Sequence, residues 1–212
     1  LFFSIKTSHP FKDMLQSPPK NGMPGARKCA LEFVNPNNEP VYISVGISAV
    51  DQAGATQNRE VEIGSKTFET LKKQAAQSWE QQLEKIVVED ANKDNLSTFY
   101  TALYHTMIAP NIYQDVDGRY RGMDLEIHQT KDFDYYTVFS LWDTYRAAHP
   151  LYTIIEHERT NDFINTFLAK YDEGGIMPIW DLSANYTGCM IGYHAVPVIA
   201  DAYLKGISGY DS

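Results

Sequence analysis

Cys29 and Cys189 are the only thiols in this chain, and no CxxC occurs. A metal centre built on thiolates is therefore excluded. A single disulfide stays open by count, and the expectation is two buried free thiols. No run of about eighteen apolar residues exists, so no segment reads as a membrane-spanning helix. Basic clusters are missing as well. Lys plus Arg number 18 against 27 Asp plus Glu, for a net charge of −9. That balance repels phosphate and argues against nucleic acid as a partner. The chain has neither an initiator Met nor a signal-peptide pattern at its start. Ser–His–Asp order, a phosphate-cradling glycine loop and HExxH are all absent. No repeat of fixed period is present, so a regular solenoid is unsupported.

What is present is enough apolar content, 43% of 212 residues, for a real core. Aromatics reach 13%, with fourteen Tyr and three Trp. Most such rings pack in cores, but ring faces also pack on the C–H faces of pyranoses. Residues 1–66 read as β. Pro10, Pro18, Pro19, Gly22, Pro24 and Gly25 mark a loop. CALEFV (29–34) and VYISVGISAV (41–50) alternate as strands and flank the turn Asn35-Pro36-Asn37-Asn38, which predicts an antiparallel hairpin. The periodicity then becomes helical. Phe68, Leu71, Ala75, Trp79, Leu83 and Ile86 share one face, and a second helix is expected over 95–107 with Asn95 as its cap. Residues 108–137 form a long irregular stretch, the kind that carries function in a helical domain. Helices follow over about 140–155, 160–171 and 190–205, the middle one stopped by Gly174-Gly175.

Candidate chemistry concentrates in the C-terminal half. Asp115-Val116-Asp117-Gly118 resembles half a calcium loop, but Tyr120 stands where an EF-hand needs Gly, so Asp117-Gly118 reads as a tight turn. In FSLWDTYR, Trp142 and Asp143 pair an aromatic plate with a carboxylate, three residues before Arg146. A local reading makes Asp143–Arg146 an ion pair with Trp142 in the core. A sugar-site reading makes Asp143 the acceptor for two adjacent hydroxyls beside Trp142 as a platform. Trp180-Asp181 repeats the pair after the glycine break, which fits two helix–loop junctions looking into one mouth. His194 is the remaining polar candidate, against the more common reading of a structural histidine. Asn185-Tyr186-Thr187 matches a short glycosylation acceptor pattern.

The strings FYTALYHTMIAPNIYQDVDGRYRGMD, YYTVFSLWDTYRAAHPL, NDFINTFLAKYDEGGIMPIWDL and CMIGYHAVPVIADAYLKGI closely resemble glycoside hydrolase family 92. GISAVDQAGATQNREVEI looks like the end of that family's N-terminal β-sandwich. The resemblance implies a mixed fold: the C-terminal part of a β-sandwich over 1–66, a helical linker over 67–94, and the first helices of an (α/α)6 barrel over 95–212. It implies an internal fragment of an exo-acting, inverting, calcium-dependent α-mannosidase acting on terminal α-linked mannose of glycans, exported to a bacterial periplasm or secreted. The alternative is a non-catalytic carbohydrate-binding or structural fragment. Acid, base and calcium ligands are expected beyond Ser212. Substrate contacts are expected from Trp142, Asp143, Trp180, Asp181 and His194. Asp181 and Tyr186 depart from the family's PIWEL and N-E-T patterns, where acidic Glu is usual.

Overall fold

The computed structural model describes residues 1–16, 28–35 and 37–211. The prolines and glycines between residues 18 and 25, Pro36 and Ser212 lie outside the described residues. Four strands come first: β1 (Phe2–Thr7), β2 (Phe11–Gln16), β3 (Cys29–Phe33) and β4 (Ile43–Ser48). They do not form the predicted hairpin. β3 pairs antiparallel with β2, and β4 pairs antiparallel with β1, from Phe2 opposite Ser48 to Thr7 opposite Ile43. The turn chemistry between β3 and β4 is nevertheless real. Asn35 Oδ1 accepts from Glu39 N at 3.0 Å, and Asn35 Nδ2 donates to Glu39 O at 2.7 Å. This turn carries the chain from one two-stranded sheet to the other, and alternation alone cannot show which strand a neighbour will pair with.

A helix, α1 (Gln52–Glu62), stands where the sequence reads as β throughout. Its few apolar residues hide it, but Asp51 caps it by accepting from Gly54 N at 2.6 Å. It buries Ala55, Asn58 and Arg59, and it lies directly on β4. A Cβ at Gly46 would sit 2.2 Å from the Ala55 carbonyl oxygen. The bare glycine is what permits that approach.

Helix α2 (Phe68–Leu83) follows the predicted periodicity, with Thr67 as cap. Helix α3 (Lys93–Thr106) starts earlier than expected. Asn92, not Asn95, caps it, accepting from Asp94 N at 2.9 Å. Asn95 Nδ2 instead donates to Asp90 Oδ2 at 2.9 Å. The irregular stretch contains four short strands: β5 (Asn111–Ile112), β6 (Arg119–Arg121), β7 (Ile127–Gln129) and β8 (Tyr136–Thr137), paired β5–β8 and β6–β7.

The helix predicted over 140–155 is two pieces, α4 (Leu141–Thr144) and α5 (Ala148–Ile155). Ala147 leaves helical geometry at φ −140°, which places Pro150 in the first turn of α5, where its missing N–H leaves no intrahelical bond unmade. Helix α6 (His157–Gly174) ends as expected, with Gly175 left-handed at φ 73°. A small hairpin of β9 (Asp181–Leu182) and β10 (Asn185–Tyr186) follows. Helix α7 (Ala195–Leu204) begins later than predicted, because Met190 and Gly192 hold positive φ.

One apolar core serves α4 to α7. Phe139, Leu141, Tyr152, Phe163, Ile164, Phe167, Ala195, Val198 and Ala202 are all buried in it. Phe163 and Phe167 meet Phe139 edge-on at 5.6 and 4.8 Å between centroids, a favoured aromatic geometry. Both cysteines are free, and both are exposed rather than buried.

Candidate sugar-binding site

The Trp142-Asp143 turn opens on solvent. Trp142 is 45% exposed, so it is not the core residue of the local reading. No ion pair joins Asp143 to Arg146 among the described residues, and Arg146 is exposed. Asp143 is held by its own turn instead. Ser140 Oγ donates to Asp143 Oδ2 at 2.5 Å, and Asp143 N donates to Ser140 O at 3.0 Å. The carboxylate is thus pinned through Oδ2 in an exposed residue, with the acceptor capacity of Oδ1 remaining.

The second Trp-Asp pair lies against the first. Ser140 and Trp180 form an antiparallel bridge, and Leu141 N donates to Ile179 O at 3.2 Å. Trp180 is half-buried. Asp181 has the opposite fate to Asp143. It is fully buried, and its oxygens are occupied by Lys170 Nζ at 2.5 Å, Thr137 Oγ1 at 2.9 Å and Phe139 N at 3.1 Å. The expectation of a substrate contact from Asp181 is corrected on that ground: the carboxylate offers nothing to solvent. Lys170 is equally buried, its ammonium 5.0 Å from the Tyr135 ring centroid. Burial pushes Lys170 below the ordinary lysine range, against the pull of Asp181.

His194 meets the same turn through an aromatic neighbour. Its ring stacks on Tyr145, three residues after Trp142, at 4.2 Å and 9°. Gly192 sits under that ring at φ 98°, and a Cβ there would lie 2.3 Å from His194 Nε2. Only glycine supplies both the left-handed backbone and the clearance. Trp142, Asp143, Trp180 and His194 therefore gather around one turn. Asn185 is exposed on the adjoining hairpin, and Thr187 Oγ1 donates to Trp180 O at 2.6 Å.

Sequence reasoning missed two polar hubs outside the nominated residues. Glu173 accepts from Tyr120 OH at 2.6 Å, Tyr135 OH at 3.1 Å and Met123 N at 2.9 Å. Asp115 is buried and accepts from Ser48 Oγ at 2.7 Å and Asn58 Nδ2 at 2.8 Å. Asp117-Gly118 is the expected tight turn, with Gly118 at φ 81° and Gly118 N donating to Asp115 O at 2.8 Å. A carboxylate next to a glycine turn was the one available sign of the Asp115 hub. A separate polar cavity of about 590 Å³, lined by Asp117, Asp132, Asp134, Glu158 and Asp162 among others, contains none of the nominated residues. Burial pushes Asp162 up to about 6.

The family model for the glycosyl hydrolase family 92 catalytic domain matches residues 54–212. The chain belongs to glycosyl hydrolase family 92. Among solved family 92 structures, an α-mannosidase of Bacteroides thetaiotaomicron in complex with mannoimidazole superposes with a TM-score of 0.86 at 34% identity, over 99% of this chain and 29% of that one. An inverting mannosidase of the same organism superposes at 0.87 and 28% identity, again over 99% and 29%. An uncharacterized secreted glycosidase of Arthroderma benhamiae is 27% identical over 184 residues, 84% of this chain and 20% of that protein. The chain thus spans under a third of the length of these relatives. Among the described residues, no group of three or more His, Cys, Asp or Glu side chains could hold a metal ion.

Proposed function

We propose that this chain is part of an exo-acting α-mannosidase that removes terminal α-linked mannose from glycans with inversion. The family and the mannosidases it superposes on support a glycosidase of this kind. The observation that carries the sugar site is the Trp142-Asp143 turn: an exposed indole beside a carboxylate that is pinned by Ser140 through one oxygen. An acceptor-only carboxylate suits a pair of neighbouring hydroxyls, and the ring face suits the C–H side of the same pyranose. Trp180 and His194 complete the face, and Asp181 supports it from within.

In this reading residues 1–66 close a β-sandwich, 67–94 link, and 95–212 begin an (α/α)6 barrel. Inversion requires a carboxylic acid at the leaving oxygen and a carboxylate base for water on the opposite face, roughly 6.5–9.5 Å apart. Those groups and the calcium implied by the family are not assigned to residues of this chain. Secretion is supported by the relative named as a secreted glycosidase. No helix among the described residues is long and apolar enough to cross a membrane.

Asp143→Asn in the full-length protein tests the site, because it keeps the shape and removes the charge. With an aryl α-mannoside, kcat/KM is expected to fall by about 2–4 kcal/mol of transition-state stabilisation, with little change in melting temperature. A rate within about tenfold of wild type, with a lowered melting temperature, would instead make this turn a purely structural feature. NMR of the first-formed sugar reads the stereochemistry: β-mannose supports inversion, and α-mannose overturns it. The rival reading, a non-catalytic binding module, predicts mannoside binding by the full-length protein without turnover at any calcium concentration.

A further inference from the structure

Val138 is a β-branched residue held at φ 66°, a left-handed conformation that such residues rarely adopt. It lies between the two groups that bind Asp181. Thr137 Oγ1 donates to Asp181 Oδ2, and Phe139 N donates to Asp181 Oδ1. The same carboxylate is anchored on α6 by Lys170, and both charged side chains are wholly buried. Two residues beyond Val138 comes Ser140, which orients Asp143 and bridges to Trp180.

We propose that Lys170 and Asp181 are positioning residues: the buried pair clamps residues 137–139 in their left-handed bend and so sets the direction in which the Trp142-Asp143 turn meets a sugar. The inference rests on the sugar-site reading of that turn. Three observations make the clamp more than a packing contact. A carboxylate buried with a single lysine is a poor way to gain stability, since an apolar pair of similar volume often does as well. Its hydrogen bonds go to the two residues that flank the strained one. A strained backbone persists only where its surroundings over-determine it, and such sites cluster where geometry matters to function. Lys170 is wholly buried, and its ammonium donates to Asp181. Its action runs through Asp181 to the backbone.

Two double variants of the full-length protein separate hydrogen bonding from charge. Lys170→Met with Asp181→Leu removes both charges and both hydrogen bonds to residues 137–139. Lys170→Met with Asp181→Asn removes the charges but keeps an acceptor for Phe139 N and a donor for the Thr137 hydroxyl. Binding of methyl α-mannoside is measured by calorimetry beside the melting temperature. The Leu pair is expected to lose at least tenfold in affinity, and the Asn pair to recover most of it. A folded Leu pair that binds within threefold of wild type overturns the proposal. Should the Leu pair fail to fold, Thr137→Val deletes one hydroxyl from the clamp. A loss of roughly threefold or more in affinity supports the clamp, and a smaller one overturns it.

A second readout does not depend on sugar. With 5-fluorotryptophan incorporated throughout the protein, the Trp142 fluorine resonance is assigned by its loss in Trp142→Phe. Its chemical shift and its solvent isotope shift should change in the Leu pair, or in Thr137→Val should that pair not fold, and unchanged values overturn the clamp. If wild-type protein fails to bind the mannoside but the Trp142 signal still responds, the sugar reading fails and the clamp stands.

Discussion

His149 shows at single-residue scale how burial sets a pH response. It is buried among Phe139, Tyr152, Phe163 and Phe167, with its Nδ1 unpartnered. Burial alone pushes its pKa down to about 4. Between about 6.5 and 4 the unfolded chain therefore binds a proton that the folded chain refuses. Stability falls with decreasing pH across that window, by at most about 1.4 kcal/mol per unit. Asp162 acts with the opposite sign. Its pKa is raised to about 6, so between 3.8 and 6 the folded chain holds the extra proton, and its contribution is lost as pH rises through 6. Asp162 is only half-buried, so solvent weakens its effect. Denaturant unfolding from pH 4 to 7 should show a shallow net slope in wild type. His149→Phe should remove or reverse the acid loss, and Asp162→Asn should steepen it. Identical profiles for all three proteins would refute both assignments.

At the scale of elements, closeness between backbones decides more than side-chain chemistry. Helix α1 lies on β4 only because Gly46 has no Cβ. In Gly46→Ala the new methyl would meet Ala55 O at 2.2 Å, Arg59 Cβ at 2.6 Å and Arg59 N at 2.9 Å. Two of these three are backbone atoms and cannot rotate away, so α1 must lift. The expected cost is about 1–3 kcal/mol, the usual range for forced overpacking, read by denaturant unfolding. A neutral substitution would mean that α1 is loosely held. The sequence hid this helix because its face toward β4 is built from Gly54, Ala55, Asn58 and Arg59, with little of the apolar periodicity that marks α2. The break between α4 and α5 escaped for a related reason. The apolar pattern runs through it, and only the place of Pro150 within a first turn requires the restart.

Across the whole molecule, Asp115 ties the N-terminal strands to the helical part. Its partners Ser48 and Asn58 come from β4 and α1, and Asn58 Oδ1 accepts in turn from Val116 N at 2.9 Å. Arg119 extends the tie by donating to Asp51 Oδ2 at 2.9 Å, and this contact holds the Asp51 carboxyl below its usual range. Asp115→Ala leaves buried polar groups without an acceptor and should cost about 1.5–3 kcal/mol. Hydrogen exchange should locate the loss: amides of α1 and β4 speed up, while those of α5 to α7 keep their protection. Equal acceleration in both parts would show that the tie is not a boundary.

The sequence by itself determined the family, the helices with strong periodicity, the glycine stop of α6 and the turn at Asp117-Gly118. All of these depend on residues within a turn or two of one another, or on long colinear motifs. Strand pairing was decided only by tertiary structure, because β3 alternates equally well beside β2 or β4. So was the difference between the two Trp-Asp pairs. The dipeptides are identical, yet Asp143 faces solvent while Asp181 is buried against Lys170. Nothing local distinguishes them. The fold does so by passing α6 behind one turn and leaving the other open, and an ionised carboxylate survives burial only where a cation and donors meet it.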